Sequence, residues 1–207
     1  MSGNDPIDWY NQHGKEVAEG YERLDFAVVH NWLLYLLPED RNATILDIGA
    51  GSGRDAAWLA ERGHEVVAVE PSDTLLEEAD RRHPHPRIRW LKDQLPGLAQ
   101  TQRLGLQFDF ILLSAVWMHV PPDERPHAFR QLVRTLKPGG RLALTLRHGP
   151  ADAARGFHHV SIDEAVDLAS KHNITIESLE TNIPDVAGRR DATWSNILLN
   201  PEILHKR

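Results

Sequence analysis

The sequence has no cysteine. That excludes a disulfide framework, a thiolate nucleophile and a cysteine-ligated zinc, and it suits a cytoplasmic setting. Long hydrophobic runs are missing too. The most apolar stretch, FAVVHNWLLYLLP from Phe26 to Pro38, contains His30 and Asn31, and its dozen or so residues fall short of the roughly 20 that a membrane span requires. A buried helix is expected there, with no membrane association. The opening MSGNDPIDWYNQ is polar and acidic and does not resemble a signal peptide. Excess positive charge is also absent. Lys and Arg number 23 against 30 Asp and Glu, a net charge of −7, which disfavours a general nucleic-acid binder, although a local basic patch is compatible with it. No fixed-period repeat, low-complexity tract or dividing linker occurs, so the 207 residues are expected to form one domain.

What is present is a regular alternation of short apolar runs and helical patterns. Residues 6–37 are expected to be helical, with Phe26, Val29, Leu33, Leu36 and Leu37 at helical spacing and Pro38 as the stop. They form an N-terminal lid or cap segment (1–37) on an α/β core (43–207). In the core, ATILDIG reads as a buried strand, RDAAWLAERG as a helix closed by Gly63, and HEVVAVE as the next strand. SDTLLEEADRRH is a helix with Ser72 as N-cap, and RIRWLKD and FDFILLSAV are further strands. PHAFRQLVRTL is a helix, KPGG a turn and RLALTLR a fifth strand. SIDEAVDLASKHN opens on a capping box, Ser161 with Glu164. ITIESLE and ATWSNILLN, joined by a single loop, are expected to pair antiparallel. The pattern predicts a Rossmann-like, seven-stranded, mostly parallel sheet with one antiparallel strand and helices on both faces. Ligands of such sheets sit beyond the carboxyl ends of the strands.

The loop after the first strand carries Gly49, Gly51 and Gly53, spaced G-x-G-x-G. The dinucleotide fingerprint is G-x-G-x-x-G, and its third glycine position is taken here by Arg54. Asp47, just before the loop, would repel a diphosphate and suit a cationic ligand. S-adenosylmethionine, which has no phosphate and carries a sulfonium and an ammonium, fits both features. Glu70, ending the second strand, is placed to accept two hydrogen bonds from the ribose diol. Asp93, ending the third, could accept from the adenine amino group. Arg54 and Asp55 are expected either to pair with each other or to touch the cofactor.

LDIGAGSG, VVAVEPS, WLKDQLP, FDFILLSAVWMHV and TLKPGGRLALTL occur in that order. Together they resemble the class I S-adenosylmethionine-dependent methyltransferase family, closely over residues 43–147 and loosely over the terminal strand pair. The resemblance implies S-adenosylmethionine as methyl donor and S-adenosylhomocysteine as product. It places Asp47, Gly49, Gly51 and Gly53 about the methionine portion and Glu70 at the ribose, with Ala50, Arg54 and Pro71 as further cofactor-binding candidates. It puts Asp93, Gln94 and Leu95 at the adenine, and Ser114 and Ala115 on the floor below the sulfonium.

Methyl transfer from a sulfonium is an in-line displacement. Alignment can supply roughly 7–11 kcal/mol, and a general base is needed only for a protonated nucleophile. His119 is the candidate base or orienting group, with a packing or cofactor-shielding role as its alternative, and Trp117 is a candidate substrate-side wall. Tyr10 could lie against the sulfonium. Arg147, just past the fifth strand, could hold a substrate carboxylate or phosphate. With His148, Arg155, His158, His159, Arg189 and Arg190 it could form a cationic rim selecting an anionic acceptor. Adjacent His158 and His159 point apart in extended chain, so no metal site is expected. The fourth strand is not followed by Asn-Pro-Pro-Tyr or Asp-Pro-Pro-Tyr, and without cysteine covalent attack on cytosine is excluded. The expected acceptor is therefore a small molecule offering O, N, S or C, and the expected state a monomer or homodimer. An RNA or tRNA modifier and a non-catalytic S-adenosylmethionine-binding module are the alternatives, and a dehydrogenase is a distant fourth.

Overall fold

A computed structural model describes residues 6–201. Seven strands form one sheet: β1 (Thr44–Ile48), β2 (Glu65–Val69), β3 (Ile88–Leu91), β4 (Phe108–Leu113), β5 (Leu136–His148), β6 (Ile174–Pro184) and β7 (Thr193–Pro201). Their order is β3-β2-β1-β4-β5-β7-β6. The first five pair in parallel, and β7 runs antiparallel to both its neighbours. The expected mostly parallel sheet with one antiparallel strand near an edge is what forms.

Alternation along the strands explains the two-sided core. Leu46, Ile48, Val67, Val69, Ile111 and Leu113 face one side, where they meet α6 (Arg125–Thr135) and α7 (Ile162–Lys171). Ile45, Val66, Ala68, Phe110 and Leu112 face the other, against α2 (Phe26–Val29) and α3 (Arg54–Glu61). Covering both faces requires the near-continuous apolar runs seen in the sequence. The caps follow their residue types: Ser72 Oγ accepts from Leu75 N at the start of α4 (Asp73–Arg82), and Ser161 Oγ accepts from Glu164 N at the start of α7.

Two local expectations are corrected. The helix predicted over 6–37 is broken: α1 spans Pro6–Glu22, then Asp25 caps the separate short α2 by accepting from Ala27 N at 2.6 Å. An aspartate side chain that bonds nearby backbone offers the chain an exit from helix, and a single 3-10 turn, Asn31–Leu33, still buries Leu33. KPGG does not stand apart from the fifth strand as a turn. Leu136 pairs with Phe108 and Arg141 with Phe110, so the residues between them bulge within β5. Two short elements escaped notice, α5 (Ala99–Arg103) and a 3-10 turn at Trp117–His119.

The β6–β7 hairpin is irregular where it nears the ligand edge. Its register shifts between Glu180 and Ile183, and Asn182 takes φ +57. Thr193 pairs with both His148 and Pro184, so the hairpin tip lies at the same edge as the carboxyl end of β5. Among the described residues no helix is long and apolar enough to cross a membrane.

Candidate active site

The strand order reverses between β1 and β4, and a crevice is expected at such a point. A cavity of about 620 Å³ opens there, walled by strand-end loops, α1 and the β6–β7 tip. Its floor begins with the loop after β1. Gly49 and Ala50 donate their N–H groups to Val69 O at 2.8 and 2.9 Å, tying the loop to β2. Gly49 (φ +71) and Gly51 (φ +58) are left-handed, a conformation costly for other residues. A Cβ on Gly49 would strike Val116, and one on Gly51 would lie 3.2 Å from the Tyr21 ring. The loop therefore presents bare backbone to the cavity.

Glu70 faces this loop. It is 5% exposed, accepting from Gly51 N at 3.0 Å with Oε2 and from Ser72 N at 2.9 Å with Oε1. Burial pushes its carboxyl up to about 7, against the pull of those two N–H donors. Each oxygen retains a lone pair for a further donor.

Asp47 lies buried beneath the loop, its Oδ2 without a hydrogen-bond partner. Burial raises its carboxyl well above the usual range; the Asp55 and Glu70 charges add to this and Arg54 opposes it. Asp55 is buried as well, yet it stays low because His30 (2.9 Å) and Arg54 (2.7 Å) outweigh desolvation. Asp47, Asp55 and Glu70 against one arginine leave little positive charge here for a diphosphate, and a cationic ligand would favour the ionised forms of the raised Asp47 and Glu70 carboxyls. An unpartnered buried carboxylate oxygen, a bare glycine loop and a dual-acceptor Glu70 fit a sulfonium nucleoside carrying an ammonium and a ribose diol.

At the next strand end, Asp93 Oδ2 accepts from Thr101 N and Oγ1, at 2.8 and 2.9 Å, and Oδ1 accepts from Gln94 N at 3.0 Å. Its carboxylate thus holds the turn that also carries Gln94 and Leu95 to the cavity wall. At the end of β4, Ala115 is left-handed (φ +59) and donates its N–H to Thr145 Oγ1 at 2.8 Å. Ser114 Oγ lies 3.4 Å from His30 Nε2.

Opposite the glycines sits an aromatic cluster. Tyr10 Oη is 3.4 Å from His119 Nε2 and receives a hydrogen bond from Arg155 Nη2 at 3.3 Å. Tyr21 lines the same wall. Burial raises both phenols above their ordinary range, so both are neutral near pH 7. His119 is pushed down to about 4 by burial and then by the Arg155 charge.

That depression has a measurable consequence. Because the folded-state pKa lies below the unfolded one, the unfolded chain binds more protons between about 6.5 and about 4, and stability rises with pH there. Acidification through that window should therefore destabilise the protein through His119. Glu70, raised from 4.5 to about 7, acts in the opposite direction. Urea titrations of wild type and His119→Gln separate the two. Wild type should lose ground to the variant by up to about 1.4 kcal/mol per pH unit as pH falls. Parallel curves would contradict the assignment.

Of the residues singled out by sequence, Tyr10, Gly49, Ala50, Gly51, Arg54, Glu70, Pro71, Asp93, Gln94, Leu95, Ser114, Ala115 and His119 line the cavity. Four are elsewhere. Asp47 lies behind the loop. Gly53 is the left-handed cap of α3, packed toward Trp90 and Ala79. Trp117, expected on the substrate side, is fully buried against Phe129 because the 3-10 turn points it inward. Arg147, expected to hold substrate, stacks over Phe157 at 5.1 Å and donates to Pro150 O at 3.1 Å. Arg54 and Asp55 pair at 2.7 Å, one of the two expected outcomes. Tyr21, Thr145, Asp185, Trp194 and His30 went unassigned. They come together only through tertiary packing, and a histidine inside the apolar run was the one available hint.

A family model described as a methyltransferase domain matches residues 45–140. Methyltransferase GfsG of Streptomyces halstedii is 33% identical over 144 residues, 67% of this chain and 45% of that protein. Trans-aconitate 2-methyltransferase of Azoarcus sp. strain BH72 is 33% identical over 116 residues, 55% of this chain and 43% of that protein. The chain thus spans less than half the length of either curated relative. Magnesium protoporphyrin IX methyltransferase from Synechocystis PCC 6803, solved with bound SAM, superposes with a TM-score of 0.72 at 15% identity, over 98% of this chain and all of that one. At that identity the likeness is one of fold.

Proposed function

From the premise that this chain belongs to the class I S-adenosylmethionine-dependent methyltransferase family, we propose that it moves a methyl group from S-adenosylmethionine to a nucleophilic atom of a small-molecule acceptor. The observation that carries this reading is the buried Glu70 carboxylate, fixed by Gly51 N and Ser72 N opposite a loop of bare backbone. When bound, S-adenosylmethionine supplies an electrophilic methyl group on a positively charged sulfur.

The chain's own residues then have three tasks. Glu70 holds the ribose diol, Gly49–Gly51 the methionine portion, Asp47 the ammonium from below, and Asp93 with Gln94 and Leu95 the adenine. Tyr10 and Tyr21, with Pro6, Ile7 and Leu24 of the N-terminal segment, line the mouth and exclude water. This is the lid role. His119 serves by position: a group held to about 4 is a weak base near neutral pH, and its Nε2, 3.4 Å from the Tyr10 hydroxyl, fixes that ring at the reacting centre.

Support for a small acceptor comes from the arginines. Two of the four that could have built a nucleic-acid patch are engaged internally: Arg147 on Phe157 and Arg155 on Tyr10. The test is transfer of labelled methyl from S-adenosylmethionine into cell extract fractionated into small metabolites and RNA. Label is expected in a metabolite fraction, dependent on Glu70. Label in RNA alone would move the acceptor to the other class, and cofactor binding with no labelled product would leave a binding module.

A further inference from the structure

The cavity extends well past the cofactor half of the sheet. Gly49–Gly51, Glu70 and Asp93 stand at the ends of β1, β2 and β3; Ile183, Pro184, Asp185, Val186, Arg189 and Trp194 close the opposite side from the β6–β7 tip. We propose that this tip is the acceptor-selecting element, and that Arg189 binds a monocarboxylate whose apolar body rests on Ile183, Pro184, Val186 and Trp194. The inference rests on the proposed methyl transfer and names the acceptor class for the same pocket.

The geometry begins with the bulge. The register shift between Glu180 and Ile183, with Asn182 at φ +57, bends the end of β6, and such irregularities re-aim side chains next to active sites. Beyond the bend, Asp185 is a preformed anchor whose side chain is 1% exposed. It accepts from Ala187 N, Arg189 N, Arg189 Nε, Arg189 Nη2 and Trp194 Nε1, at 2.9, 3.3, 3.0, 2.7 and 2.9 Å. A carboxylate so fully engaged fixes the loop, the Trp194 ring and the Arg189 guanidinium together.

Both of the Arg189 donors facing Asp185 are committed, while Nη1 has no hydrogen-bond partner among the described residues. The side chain is 44% exposed, on the cavity wall. Its outer edge thus presents paired N–H groups, the fork that matches a carboxylate. Arg54, also on the wall, is held by Asp55 through Nε and by Tyr21 O through Nη1, and its side chain is 17% exposed against 44% for Arg189. The ring of Tyr21 lies over Gly51, and Tyr21 and Arg189 line the same cavity, so the anion site and the cofactor loop open into one space. Asp55, Glu70, Asp93, Glu124 and Asp185 line the same cavity. That acidic surround favours a singly charged carboxylate over a phosphate dianion.

The experiment titrates the full chain, saturated with S-adenosylhomocysteine, with phenylacetate and hexanoate, each beside its neutral amide. Calorimetry gives the affinity, and the Trp194 indole N–H resonance, assigned with Trp194→Phe, reports the place. At least one acid should bind at least tenfold more tightly than its amide and shift the Trp194 signal. Arg189→Ala should weaken that acid at least tenfold, bring acid and amide level, and leave S-adenosylhomocysteine affinity within twofold of wild type. Arg189→Lys, which keeps the charge without the fork, should fall between. Acid and amide binding equally to wild type, neither acid binding, or an acid unaffected by Arg189→Ala would each overturn the inference. Failure of S-adenosylhomocysteine itself to bind would instead contradict the proposed methyl transfer, and the same acid–amide comparison without it would still judge the Arg189 site.

Discussion

Glu70→Ala is expected to weaken S-adenosylmethionine and S-adenosylhomocysteine binding at least a hundredfold. The ionised carboxylate can accept both ribose hydroxyls, and a hydrogen bond to a charged group contributes about 1.5–3 kcal/mol. Two such bonds amount to roughly 3–6 kcal/mol, and 1.4 kcal/mol is tenfold in affinity. The substitution also frees Gly51 N and Ser72 N, which Glu70 now holds at 3.0 and 2.9 Å, so the loop loses part of its preorganisation. Only the carboxylate form accepts from both hydroxyls. Wild-type affinity should therefore fall as pH drops below the raised pKa of about 7, approaching about tenfold per pH unit. Glu70→Gln, which does not titrate, should lack that dependence. Calorimetry across pH 6 to 8 measures both effects. A loss of less than threefold for the alanine variant would remove Glu70 from the ribose.

Arg125→Ala is expected to be strongly destabilising although the residue lies outside the cavity lining. Arg125 is 2% exposed, and its guanidinium joins three segments: Nε donates to Val120 O at 3.0 Å, Nη2 to His159 O at 2.9 Å and Nη1 to Glu164 at 2.6 Å. Truncation leaves two carbonyls and a carboxylate without partners. Removing one partner of a buried ion pair costs about 3–5 kcal/mol. Glu164 is 29% exposed and can rehydrate, which places the expected loss near the lower end, about 3 kcal/mol. For a chain of this size that lowers Tm by roughly 6–12 °C. Arg125→Lys should recover less than half, because one ammonium cannot span three acceptors in these directions. The pinned segments carry His119 and His158 to the cavity, so the variant should also bind acceptor less well. A Tm within about 2 °C of wild type would show that the three segments hold together without it.

How much was legible beforehand depended on whether a feature is local. The strand and helix alternation is written in apolar periodicity, and the glycine loop, Glu70 and Asp93 sit where any open α/β sheet presents its strand ends. The Ser72 and Ser161 caps are local too. What failed needed side-chain direction or distant partners. Whether Trp117 or His119 meets the cavity is decided by the 3-10 turn at Trp117–His119, which sends the first into the core against Phe129 and the second toward Tyr10. Arg147 ends its strand on the ligand edge, but Phe157 and Pro150 O capture its guanidinium. Arg125 reads in sequence as one more solvated charge in DERPHAF. Its burial follows from α7 and the residues before it folding back over α6. The β6 bend at Asn182 leaves no clear signature either, and with it went the placement of Asp185 and Trp194 on the cavity wall; Arg189 was expected at the rim and lines it.

The account's central claim is that the cavity at the β1–β4 switch point takes a sulfonium nucleoside and not a diphosphate dinucleotide. Isothermal titration of the full chain with S-adenosylhomocysteine, and separately with NADH, tests it most directly. The account predicts saturable heat at one site per chain for the first, lost in Glu70→Ala, and none for the second. Saturable heat with NADH and none with S-adenosylhomocysteine would contradict it.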